Sequence, residues 1–131
     1  MHPFRKAVEA HDHQAIPALL AEDAAFLSPV AFAPYQGRAM VAAILRGADR
    51  AFEDFRYVRE IADGNSLALM FKARIGEREV HGCDFLELDE EGLIKEFCVM
   101  VRPLSAANAL GEAMRVQFEI IRRELLEDGP A

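Results

Sequence analysis

Apolar residues recur at helical spacing towards both ends of this chain and at alternate positions between, a pattern that predicts helices around a run of strands. Near the start Phe4, Val8 and His11 share one helical face, with Ala7 beside them. Asp12 suits the N-cap of a second helix carrying Ile16, Leu19 and Leu20, which Pro17 keeps short. Residues 24–28 predict a brief strand and 29–37 a proline-bearing loop. From Arg38 to Phe52 a stripe of Val41, Ile44, Leu45, Ala48 and Phe52 predicts a helix lying on a core. The period then changes to two. Residues 54–62, 66–76, 78–88 and 93–102 predict four strands separated by short turns, hence an antiparallel meander. A last helix is expected over 105–127, with Leu110, Met114, Phe118, Ile121 and Leu125 on its stripe, a length suited to covering the outer sheet face or a partner subunit. Helices gathered on one side of a single antiparallel sheet make an α+β domain.

Register sharpens this picture. A symmetric hairpin about Asp89–Gly92 sets Leu88 opposite Leu93, Asp84 opposite Phe97 and Cys83 opposite Cys98. Strand alternation then gives Asp84 the company of Val80, Leu86, Phe97, Val99 and Val101, which predicts a buried acid. His81 belongs to the other face unless Gly82 introduces a bulge that brings it to Asp84. If Ala62 opposes Ser66, then Tyr57, Arg59 and Ile61 share the face of Leu69 and Phe71.

Composition bounds the rest. The 131 residues fit a single domain over 1–131, and 52% apolar with 28% charged residues is an ordinary globular balance. A net charge of −7 disfavours nucleic acid and anionic membrane surfaces as partners. No apolar run follows the first basic residues and no stretch is long enough to span a bilayer, so a cytoplasmic location is expected. The only two cysteines, Cys83 and Cys98, are expected as neighbouring reduced thiols. Neither they with His81 nor His11-Asp12-His13 make a convincing metal set, and the latter suits a capping aspartate between two solvated imidazoles. Neither a metal nor another cofactor is expected.

Two separated segments carry a family likeness. Ala21-Glu22-Asp23-Ala24-Ala25-Phe26-Leu27-Ser28-Pro29, with Gly37 beyond it, resembles the first half of an NTF2-like domain of the SnoaL type; Gly82 to Ile94 resembles that family's late hairpin. The resemblance implies a cone in which a curved antiparallel sheet and helices enclose one pocket, usually in a homodimer. It also implies that fold alone does not settle function, since the family includes ketosteroid isomerase, polyketide cyclases, limonene epoxide hydrolase, dehydratases and binding proteins. Asp84 matches the oxyanion-hole acid of ketosteroid isomerase. Ser28 falls where that enzyme has its general base and Phe4 where it has its tyrosine, so steroid isomerase activity is not expected.

Asp84 is therefore the candidate acid: neutral through burial, it would donate a hydrogen bond to a developing oxyanion or deliver a proton. The competing reading is a structural acid paired with Arg59 or bonded to Tyr57. Tyr57 either supplies a hydroxyl to the pocket or is a core ring, and Tyr35 either touches ligand or anchors the loop at the pocket mouth. The expected walls are Phe4, Val8, Ser28, Ile44, Phe71, Phe97, Val99 and Val101. The expected ligand is a small apolar metabolite bearing a carbonyl or phenol, bound with or without cofactor-independent acid–base catalysis. The alternative is a non-catalytic binding or dimeric interaction domain.

Overall fold

The computed structural model describes residues 1–128, so the last three positions of the expected 1–131 domain lie outside the described residues. Helix α1 (Pro3–Glu9) starts where the His2 side chain accepts a hydrogen bond from the Phe4 amide and Pro3 presets the first turn. It stops short of His11, whose φ of 54° lies in the left-handed region that ends a helix. A 3₁₀ turn over Ile16–Leu19 replaces the expected second helix and leads into β1 (Leu20–Leu27). Asp12 still acts locally, its carboxylate accepting from the Ala15 amide.

The loop after β1 holds one short strand, β2 (Tyr35–Gln36), ahead of α2 (Arg38–Ala51). Four strands follow: β3 (Glu53–Asp63), β4 (Ser66–Ile75), β5 (Arg78–Leu88) and β6 (Ile94–Arg102), and then α3 (Leu104–Asp128). All six strands form one curved, unclosed sheet in the order β2-β1-β6-β5-β4-β3. The meander is antiparallel as expected, but β1 runs parallel to β6, so the sheet is mixed. The intervening α2 and meander give the chain the length a parallel return requires.

In the β5–β6 hairpin Asp84 faces Val99 and Leu86 faces Phe97, two residues away from the symmetric register. A shift of two preserves every face, so Asp84 keeps its apolar neighbours. It does separate the thiols: Cys83 pairs with Met100 and Cys98 with Phe85, leaving two free cysteines diagonal to each other on the outer face. No bulge occurs at Gly82 and His81 stays outside, where its Nδ1 lies 3.0 Å from an Arg102 nitrogen. Gly82 has a different purpose. A Cβ there would collide with the Phe71 ring, which lies across it.

The β3–β4 turn pairs Asp63 with Ser66 and Ala62 with Leu67, one residue away from expectation. An extra residue at Val58 takes up that difference, so Tyr57 pairs with Phe71 on the inner face while Arg59 pairs with Met70. Arg59 is thereby turned to the exposed side.

The helices cover the concave side. Helix α3 packs in cis against α2, where Ile121 closes onto Gly47, and it buries Leu110, Met114 and Ile121. It does not cover the outer sheet face, whose Met70, Phe85 and Met100 stay exposed.

Candidate active site and ligand pocket

The core is not filled. Between the concave sheet, α1, α2 and α3 lies a cavity of about 100 Å³. Its floor comes from alternating inward residues of the sheet: Phe71 on β4, Asp84 on β5, Phe97 and Val99 on β6. Phe4 and Val8 enter from α1 and Ile44 from α2, while Ser28 and Tyr35 come from the loop region between β1 and α2. The structure thus brings together ten of the twelve sequence-derived site residues, these nine and Tyr57. Arg59 and Val101 are not in the lining: Arg59 was displaced by the bulge, and Val101 packs on the core beside it.

Asp84 is the only charged residue in the buried set among the described residues, with 5% of its surface exposed. Its partner is Tyr57, whose hydroxyl donates to Oδ2 over 2.6 Å, not Arg59. The tyrosine is fixed by an aromatic cluster, Phe55 standing edge-on to it at 5.0 Å and stacking on Phe71 at 4.7 Å. Burial raises the Asp84 pKa to about 7, and the Tyr57 hydrogen bond opposes the rise without cancelling it. Burial, then the adjacent carboxylate, lift the Tyr57 phenol well above its ordinary range, so it remains a donor at neutral pH.

Two polar lining residues escaped the sequence reading. His13 and Asp49 also face the cavity, with His13 Nε2 3.0 Å from Asp49 Oδ2. Exposed His11 reaches the same carboxylate through Nδ1, 2.9 Å from Oδ1. The two imidazoles expected to be solvated are therefore held by α2. The missed signal was Asp49 itself, an acid placed four residues after Leu45 and three before Phe52 on an otherwise apolar stripe. The mouth carries a further unforeseen wall, Leu110, Met114 and Phe118 of α3, with Phe118 stacked on Tyr35 at 5.3 Å. Among the described residues no group of His, Cys, Asp and Glu is arranged to hold a metal ion, and no helix is long and apolar enough to cross a membrane.

The family model for the SnoaL-like domain matches residues 2–97. The chain belongs to the SnoaL-like family. This SnoaL-like chain is also similar to solved structures over most of its length. A steroid delta-isomerase from Pseudomonas aeruginosa is 43% identical, with a TM-score of 0.85 over 88% of this chain and 86% of that one. A protein with a cystatin-like fold from Silicibacter pomeroyi DSS-3 is 38% identical, with a TM-score of 0.84 over 89% and 86%. A SnoaL-like polyketide cyclase from Shewanella denitrificans OS-217 shares the fold at 18% identity, with a TM-score of 0.64 over 83% and 92%. No curated protein matches the chain.

Proposed function

We propose that this SnoaL-like protein binds a small, largely apolar metabolite bearing a carbonyl or phenol, with that oxygen against Asp84 and Tyr57. We propose further that, where the ligand is a substrate, Asp84 acts as the acid in cofactor-independent isomerisation, cyclisation, dehydration or hydrolysis. The observation that carries this is a buried, unpaired-by-cation carboxyl at the floor of a cavity, with a pKa near neutrality. A purely structural acid gains from a cationic partner or from several amides; this one has a phenol and an apolar cavity. A neutral Asp84 has one carboxyl proton to donate to a ligand oxygen, while Tyr57, donating its own hydrogen to Oδ2, fixes the carboxyl in place, an arrangement that stabilises a developing enolate or phenolate.

The resemblance to an isomerase supports acid–base chemistry, while Ser28 and Phe4 at the cavity wall argue against steroid isomerisation itself, since neither takes a carbon-bound proton. The cavity of about 100 Å³ has room for a single-ring compound.

A calorimetric and thermal-shift titration with substituted phenols tests the reading. The wild-type protein is expected to be stabilised in proportion to ligand affinity, and Asp84→Leu, which keeps the bulk and removes the donor, to weaken binding by about tenfold, the loss of one net hydrogen bond. No stabilisation of the wild type by any phenol would reject it.

A further inference from the structure

Resting on that reading, we infer that His13, held by Asp49, is a second polar anchor of the pocket, and that it accepts a hydrogen bond from a ligand hydroxyl. The ligand class is thereby narrowed to small apolar compounds with two polar ends: a carbonyl or phenolic oxygen for Asp84 and Tyr57, and a hydroxyl for His13.

Which His13 nitrogen carries the hydrogen follows from its partner. An ionised carboxylate accepts and never donates. His13 Nε2 lies 3.0 Å from Asp49 Oδ2, so this nitrogen is the N–H. A neutral imidazole has one hydrogen to place, and Nδ1 is left as a bare lone pair. That Nδ1 is buried and has no hydrogen-bond partner, the one buried side-chain polar atom in that condition among the described residues. An orphaned buried acceptor is unfavourable, and a bound hydroxyl would remove that cost. His13 belongs to the cavity lining, so the orphan sits on a residue that already meets the ligand space.

The support around it is built for orientation. Asp49 divides its oxygens between two imidazoles, Oδ1 nearest His11 at 2.9 Å and Oδ2 nearest His13 at 3.0 Å. His11, at a φ of 54°, and His13 both reach this carboxylate. The helix-borne carboxylate of Asp49 thus holds the His13 ring by one nitrogen. A core histidine packed for stability would use both nitrogens; this one uses one.

The probes are acetophenone, which offers only a carbonyl, and its meta- and para-hydroxy derivatives, titrated calorimetrically into wild type, His13→Gln and Asp49→Asn. Gln keeps an amide donor for Asp49 and removes the Nδ1 acceptor. In the wild type one hydroxy derivative should bind about tenfold more tightly than acetophenone, one hydrogen bond converted at 1.4 kcal/mol per decade. His13→Gln should erase that preference and leave acetophenone binding in place. Nitrogen NMR of the free protein should show the Nε2–H tautomer for His13, with the Nδ1 resonance moving only for the hydroxylated probe. Equal binding of all three probes to the wild type, or a preference that survives His13→Gln, overturns the inference while the pocket reading stands. Acetophenone and both derivatives all failing to bind the wild type would instead reject the pocket reading, and the inference with it. Should His13→Gln fail to fold, Asp49→Asn decides: loss of the fixed tautomer together with the preference supports the anchor, and a preference kept without the tautomer refutes it.

Discussion

At the residue scale the outcome at Asp84 is a contest between two effects of opposite sign. Removing a carboxylate from water raises its pKa, accepting a hydrogen bond from Tyr57 lowers it, and burial wins, moving the group from 3.8 to about 7. The consequence for stability has a definite sign. The unfolded chain ionises this acid readily and the folded chain does so reluctantly, so folding is penalised as pH rises. The contribution is full below about pH 4 and is lost as pH passes through about 7, a difference of about 3 units or about 4 kcal/mol. Asp84→Asn cannot ionise. The stability difference between variant and wild type, from urea unfolding, is therefore expected to move towards the variant by several kcal/mol between about pH 4 and pH 8; a pH-independent difference would contradict a raised pKa. Tyr57→Phe removes the hydrogen bond that favours the charged form, so the Asp84 midpoint should rise further, and a fall on carbon NMR titration would show that the contact is not the one described.

At the scale of elements, period and alternation reveal faces, and they revealed most of this site. The expected β5–β6 register missed by two residues and cost nothing in face assignment. In β3 a single extra residue at Val58 was enough to send Arg59 away from Asp84, because one residue inverts a strand's faces. Nothing in the local sequence marks that bulge. The partner of α3 was illegible for a related reason: a stripe says that a face is buried, not against what, and here it meets α2 and the cavity mouth. The His11–Asp49–His13 cluster joins residues 36 and 38 positions apart, beyond the reach of any local motif. Gly82 gives the element-scale prediction. Its absent side chain makes room for the Phe71 ring, so Gly82→Ala should destabilise the fold by about 1–3 kcal/mol, read by urea unfolding, and should perturb phenol binding through the displaced ring. An unchanged midpoint would mean that the ring has somewhere else to go.

For the whole molecule, the two faces of one sheet have different occupations. The concave face builds the pocket. The outer face leaves Met100 at 59%, Ile61 at 47%, Phe85 at 42% and Met70 at 39% exposure, with the two thiols among them. The pairing places Phe85 between Ala68 and Cys98 and sets Met70 and Met100 on either side of Cys83, which makes the apolar surface continuous across three strands. We propose that this surface is the interface of a homodimer, the assembly that buries it symmetrically. Light scattering should give twice the 14.6 kDa chain mass at micromolar concentration, and Phe85→Glu with Met100→Glu should give the monomer with its fold intact by circular dichroism. A wild-type monomer would refute it.

The central claim is that Asp84 is a near-neutral acid that meets the ligand. Its most direct test is a carbon NMR titration of the Asp84 carboxyl, assigned through Asp84→Asn, with and without a saturating substituted phenol. The midpoint is expected at about 7 in the free protein, with a clear displacement when the phenol is bound. A midpoint in the ordinary carboxylate range near 3.9, unmoved by ligand, would contradict it.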